Sequence, residues 1–121
     1  MEELFKDPLE DYTTIFKALS DKTRLKILWL LNSIDSKICV SEIIDIVNEN
    51  QYNVSRHLKV LKNAGLIREK KEGKWVYYFL LPANDSFRVI IQEAIKSIPK
   101  ELLELEIEKC KKNLLLREDE K

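Results

Sequence analysis

The sequence predicts a mainly α fold of the α+β class, and three observations predict it. Apolar residues recur at helical spacing through most of the chain; two β-prone runs stand together around Glu72-Gly73; and capping or turn residues separate the helical stretches. With 121 residues, 45% of them hydrophobic and 35% charged, the chain suits one domain with one modest core and a heavily solvated surface.

Asp7-Pro8 opens the first helix, since Asp accepts free backbone N–H groups and Pro at the first helical position gives up only an unpaired donor. Tyr12, Ile15, Phe16 and Leu19 then form its apolar stripe. Ser20 and Asp21 cap a second helix, whose Leu25, Leu28 and Leu31 are widened by Ile27, Trp29 and Leu30 into a nearly all-round apolar surface, so it belongs at the centre. Asn32 to Lys37 is a polar connection. Ile38-Cys39-Val40 suits one short edge strand or an extended entry, after which Ser41 caps a third helix with Glu42 at its positive end and Ile43, Ile44 and Val47 inward.

Asn48-Glu49-Asn50 marks a tight turn, and Asn50 caps a fourth helix running to Ala64, where Gly65 makes a left-handed cap cheap. Val54, Leu58 and Leu61 form its buried stripe; Gln51, Tyr52, Asn53, Ser55, Arg56 and Lys59 form a polar opposite face. Two such helices about a tight turn have the sequence form of a helix-turn-helix. The runs 66–71 and 74–79 then read as a hairpin with a basic tip, completing a winged helix-turn-helix with a two-stranded wing.

Asn84 or Asp85 caps a fifth helix with Phe87, Ile90, Ile91, Ala94, Ile95 and Ile98 on its apolar side, and Pro99 ends or sharply kinks it. A sixth runs from about Pro99 to Leu116, with Leu103, Ile107, Cys110 and Leu114 in one seam and Leu102 and Leu105 beside it. A small winged helix needs no such addition for its own core, so the N- and C-terminal helices are expected to pack on a second copy as a homodimer. The domain expectation is therefore a single unit over 1–121, with the helix-turn-helix and wing in about 9–82 and C-terminal dimerisation helices in 84–121.

Net charge is zero, 21 basic against 21 acidic residues, which argues against a uniformly basic nucleic-acid coat. The distribution is uneven: residues 1–50 hold 6 basic and 10 acidic side chains, 51–80 hold 7 and 2, and 81–121 hold 8 and 9. A basic block, Arg56, Lys59, Lys62, Arg68, Lys70, Lys71 and Lys74, thus coincides with the fourth helix and the hairpin. No run reaches the ~18 apolar residues of a membrane span, and Met1-Glu2-Glu3 lacks a basic signal start, so a cytoplasmic protein with no membrane partner is expected. A catalytic role is not expected, because there is one His, no Gly-rich phosphate loop and no metal-ligand set, while Glu101, Glu104, Glu106 and Glu108 interleave with Lys as a solvated surface. His57, beside Val54, Leu58 and Leu61, is expected to be packed or backbone-bonded.

Three stretches carry a family resemblance: Phe16 through Leu28, Val54 through Ile67, and Glu72 through Tyr78. Over roughly residues 10–82 the chain resembles the ArsR/SmtB arsenical- and metal-responsive repressors. The resemblance implies a dimeric winged-helix repressor that binds a palindromic double-stranded operator near its own promoter and releases it on sensing an inducer. It puts the major-groove reading positions at Gln51, Tyr52, Asn53, Ser55 and Arg56; independently, Gln and Asn suit adenine, Arg suits guanine, and Ser suits either. Tyr52 stands where relatives often carry a small residue or Pro, and would pack on a sugar or thymine methyl. Lys59, Lys70, Lys71 and Lys74 suit phosphate or minor-groove contacts.

For sensing, the resemblance implies a Cys-Val-Cys run, yet here the run is Cys39-Val40-Ser41, and Ser is a poor ligand for soft ions. The His and carboxylate ligands of zinc- and nickel-type sites on the last helices lack their His. Cys39 and Cys110, the two cysteines, are the candidate sensor thiols, with a soft metal, a metalloid or an oxidant as the signal; the competing reading of Cys110 is an inert core residue. The alternative function is a winged-helix protein–protein interaction module that binds no operator.

Overall fold

The computed structural model describes residues 7–34 and 37–119; Asp35 and Ser36 of the expected connection lie outside the described residues. Among the described residues, six α-helices and three strands follow in the order α1 (Glu10–Leu19), α2 (Lys22–Ser33), β1 (Ile38–Cys39), α3 (Val40–Val47), α4 (Gln51–Asn63), β2 (Ile67–Glu72), β3 (Trp75–Leu80), α5 (Ser86–Lys96) and α6 (Glu104–Asp119), the last preceded by a 3-10 turn over Lys100–Leu103.

α2 is the central helix. Its residues Ile27 to Leu31 are all buried, as their all-round apolar surface requires, and α3, α4, α5 and β3 pack around it. Asp21 caps it by accepting the Arg24 N–H at 3.0 Å. α5 and the residues just after it dock on α2 through polar bonds as well: Asn32 Nδ2 donates to the Gln92 carbonyl at 2.8 Å, and Trp29 Nε1 to the carbonyl of Ile98, beyond the end of α5, at 3.0 Å. These bonds satisfy donors that would otherwise be stranded beside an apolar core.

α3 and α4 meet about a turn in which Asn48 takes the left-handed conformation, φ 55°. Asn50 caps α4 by accepting the Asn53 N–H at 2.8 Å. Its inward stripe is completely buried, with Val54, Leu58 and Leu61 at 0–1% exposure. Each such side chain contributes roughly 1.5–3 kcal/mol by leaving water. The helix stops at Asn63, and Gly65 at φ +74° lets the Leu66 N–H reach back to the Leu61 carbonyl at 3.1 Å.

β3 lies between β1 and β2 in an antiparallel sheet. The wing turn is Gly73-Lys74, one residue later than expected, because Glu72 pairs with Trp75 in the register. Gly73 has φ +61° and Lys74 does not share a positive φ, the pattern of a two-residue turn with Gly first.

Four other expectations shift. The first helix begins at Glu10, and Asp7 instead accepts the Leu9 N–H at 2.9 Å in the turn before it. Cys39, not Ser41, caps α3: its sulfur accepts the Glu42 N–H while Glu42 Oε1 accepts the Cys39 N–H at 3.0 Å. The packing of α3 against α2, α4 and α6 buries Ile46 and leaves Ile44 half-buried. On α5, Ile91 and Ile95 face the core, whereas Ile90 and Ala94 face outward. Glu106 does not belong to a solvated surface; it is buried and paired with Lys26 at 3.0 Å, linking α6 to α2.

Candidate nucleic-acid interface

The polar side of α4 presents Gln51, Tyr52, Ser55, Arg56 and Lys59, all exposed, at offsets that bring them onto one helical face. Tyr52 is 71% exposed, and the Arg56 guanidinium stands 5.7 Å from its ring centre. Asn53 sits at the flank, half-buried, with its amide donating to Glu49 Oε2 at 3.0 Å. The structure therefore gathers four of the five sequence-derived reading positions, together with Lys59, on one open face and turns the fifth, Asn53, toward the turn before the helix.

Lys70, Lys71 and Lys74 are exposed on the wing, Lys70 lying 3.9 Å from Glu72 and Lys74 5.2 Å from the Trp75 ring centre. The two acidic residues of the basic block are neutralised within the fold. Glu69 accepts from Lys62 at 2.5 Å and from the Tyr78 hydroxyl at 3.0 Å. Those two bonds hold its carboxyl below the usual range, and burial together with Glu69 pushes Tyr78 up to about 12. Glu72 accepts from Lys37 at 2.6 Å on both oxygens, which likewise lowers its carboxyl. Lys37, outside the basic block in sequence, was not among the predicted site residues; only the register of β1 on β3, which lays it over Tyr77 at 4.6 Å, reveals its place.

Behind α4, a second group missed by sequence reasoning joins three helices. Arg24 Nε donates to the Ala18 carbonyl at 2.6 Å, Nη2 to the Lys17 carbonyl at 3.2 Å, and Nη1 lies 3.1 Å from His57 Nδ1. His57 is thus half-buried and bonded through side chains, not to backbone. Asp21 Oδ2 lies 3.7 Å from the same nitrogen. Burial raises the Asp21 carboxyl, but the Arg24 N–H bond and the Arg24 charge outweigh it and hold it low.

Both candidate thiols are buried, and neither is in a disulfide. Cys39 lines a cleft of about 180 Å³ between α3, β3 and α6 with Ser41, Glu42, Trp75, Tyr77 and Asn113, its sulfur 3.2 Å from Ser41 Oγ. Cys110 lines the neighbouring cleft, which shares Glu42 and Asn113. Among the described residues no group of three or more His, Cys, Asp or Glu is arranged to hold a metal ion, and no helix is long and apolar enough to cross a membrane.

A family profile described as "Bacterial regulatory protein, arsR family" matches residues 21–69. The chain is 42% identical over 78 residues to a "Cadmium resistance transcriptional regulatory protein CadC homolog" of Staphylococcus aureus, a match covering 64% of this chain and 64% of that protein. It is 40% identical over 81 residues to an "Arsenical resistance operon repressor" of Escherichia coli, covering 66% of this chain and 68% of that one. Among solved structures, it is similar to the homodimeric winged helix-turn-helix DNA-binding domain of a possible ArsR-family transcriptional regulator from Mycobacterium bovis, with TM-score 0.62 and 27% identity, covering 79% of this chain and 84% of that one.

Proposed function

We infer, from a chain that belongs to the arsR family of bacterial regulatory proteins, a cytoplasmic homodimeric repressor that binds a specific double-stranded operator through α4 and the wing. The family is one of transcriptional regulators, not enzymes. The carrying observation is the exposed α4 face of Gln51, Tyr52, Ser55, Arg56 and Lys59 beside a wing whose acidic residues are already paired. Folding pairs the two negative charges that would oppose a phosphate backbone with Lys62 and Lys37 and leaves Lys70, Lys71 and Lys74 outward. In this reading Gln51, Asn53, Ser55 and Arg56 address base edges, Tyr52 packs on a sugar or thymine methyl, and Lys59, Lys70, Lys71 and Lys74 hold phosphates. Asn53 would exchange its Glu49 bond for a base. The whole of 1–121 acts as one domain.

Two copies are brought together by apolar side chains that the monomer leaves exposed on α1 and α5, among them Leu9, Tyr12, Phe16 and Ile90; twofold symmetry then offers two α4 helices to two half-sites. Selection of duplexes from a random-sequence library should return a palindromic site, bound with an affinity that falls steeply with salt. Return of no sequence, with a stable heteromeric protein partner, would establish the interaction-module reading instead.

Release of the operator is assigned to a thiophilic signal at Cys39, with Cys110 in the adjacent cleft. The matched relatives named for arsenic and cadmium make arsenite and cadmium the first inducers to test. Cys39→Ser should abolish release by either ion, whereas release undiminished in that variant, measured by duplex anisotropy, moves sensing away from this thiol.

A further inference from the structure

We propose that His57 and Arg24 are positioning residues for DNA reading: one guanidinium ties the end of α1 to the inner flank of α4 and sets the attitude at which α4 meets the bases. The inference rests on the DNA-binding reading above and names how that face is held.

Arg24 serves three acceptors at once. Nε and Nη2 hold the Ala18 and Lys17 carbonyls in the last turn of α1, the second of which also accepts from the Ser20 N–H and hydroxyl, while Nη1 approaches His57 Nδ1 at 3.1 Å. A guanidinium has donors only and stays protonated, so Nδ1 is the acceptor and the imidazole carries its hydrogen on Nε2. Asp21 fixes the other side of the arrangement, accepting the Arg24 N–H at 3.0 Å and standing 3.7 Å from Nδ1. The planar fork is what makes this possible; a lysine ammonium at the same place is a point charge on a flexible stem and cannot match the three directions.

The location gives the arrangement its consequence. Arg24, Asn53, Arg56, His57 and Val60 line one small cleft of about 70 Å³, so the guanidinium lies directly behind two of the reading residues. At its other end it grips α1, the helix that carries exposed Tyr12 and Phe16. Val54, Leu58 and Leu61, fully buried, fix which face of α4 turns inward; the fine tilt of its exposed N-terminal half depends in addition on directional contacts at its flank. The Arg24–His57 bond is directional, and it couples the apolar end of α1 to the orientation of α4.

The test uses full-length protein, a fluorescent duplex selected by the wild type from a random-sequence library, and a scrambled duplex of equal length. His57→Leu and Arg24→Lys should each lose roughly ten- to a hundredfold in affinity for the selected duplex, the loss expected of a hydrogen bond to a charged group. Their affinity for the scrambled duplex should stay within about twofold, because phosphate contacts do not need the register. His57→Asn should restore most of the selected-duplex affinity, since its Oδ1 stands where Nδ1 stood and can accept from Arg24. If His57→Leu melts early, His57→Gln, polar and of similar reach but with its carbonyl one bond further out, replaces it and should also lose discrimination. The proposal is overturned if His57→Leu or its replacement keeps wild-type affinity, if losses are equal on both duplexes, or if His57→Asn behaves as His57→Leu. Selection of no sequence by the wild type instead removes the DNA-binding reading, and the positioning role with it.

Discussion

Single side chains in the wing are matched to one another more closely than their charges suggest. Tyr78 donates to Glu69, which Lys62 also holds, and the hydroxyl is pushed up to about 12 by burial and by that carboxylate. A folded-state value above the ordinary 10 means the stabilisation is complete below pH 10 and is lost as pH rises through about 12. Glu69 works in the opposite direction, since its lowered carboxyl stabilises above its ordinary value of 4.5 and the contribution fades as pH falls through the folded value. Glu69→Gln should therefore bring the Tyr78 titration, followed by ultraviolet difference absorbance, down from about 12 toward 10; an unchanged titration would show that burial alone sets it. On α4, Arg56→Ala should relax preference at one base pair of the selected site by about 1–3 kcal/mol, read by competition with single-base variants. Uniform weakening across all variants would make Arg56 a phosphate contact.

At the scale of elements, the hairpin and the recognition helix act as separate contributors. The wing is held to the body by β1 and by Lys37 on Glu72, while its three lysines reach outward from the tip. Replacing Lys70, Lys71 and Lys74 together with Ala should reduce the slope of log affinity against log salt by about 0.9 for each phosphate contact removed, up to about 3. A slope equal to that of the wild type would take the wing off the DNA. α4 itself was legible in the sequence because Asn50, the Val54-Leu58-Leu61 stripe and Gly65 are local signals, each acting within one or two turns. The cap of α3 was not. Ser41 is the better capping residue by type, but β1 pairs Cys39 with Tyr77, and the chain leaves the sheet there, so Cys39 becomes the first free position. A non-local pairing overrode a local preference.

At the scale of the whole molecule, large apolar side chains on α1 and α5 stay exposed among the described residues. Tyr12 and Phe16 meet Phe87 edge to face, with ring centres 4.8 and 5.6 Å apart, yet Phe16 stays 56% exposed and Ile90 65%. The sequence reads Tyr12, Ile15, Phe16 and Leu19 as the apolar stripe of α1, a helix expected to pack on a second copy; the structure divides the stripe, burying Ile15 and leaving Tyr12 and Phe16 outward. Phe16→Asp combined with Ile90→Asp should shift the protein from dimer to monomer in sedimentation and lower its affinity for the palindromic duplex, with little loss of monomer helicity. Retention of the dimer would place the interface on other surfaces, such as Leu102 and Leu105.

The sequence by itself determined which segments are helices and strands, that α2 is central, and which face of α4 is polar, because helical period, capping and turn chemistry act over a few residues. Tertiary structure alone decided which charges stay available. Glu69 and Glu72 are silenced by Lys62 and Lys37, Glu106 is drawn inward to Lys26, and Arg24 is placed between α1 and His57. Apart from Lys62 and Glu69, which face each other across the turn from α4 to β2, these pairs depend on distances between elements far apart in the chain, which no local pattern encodes.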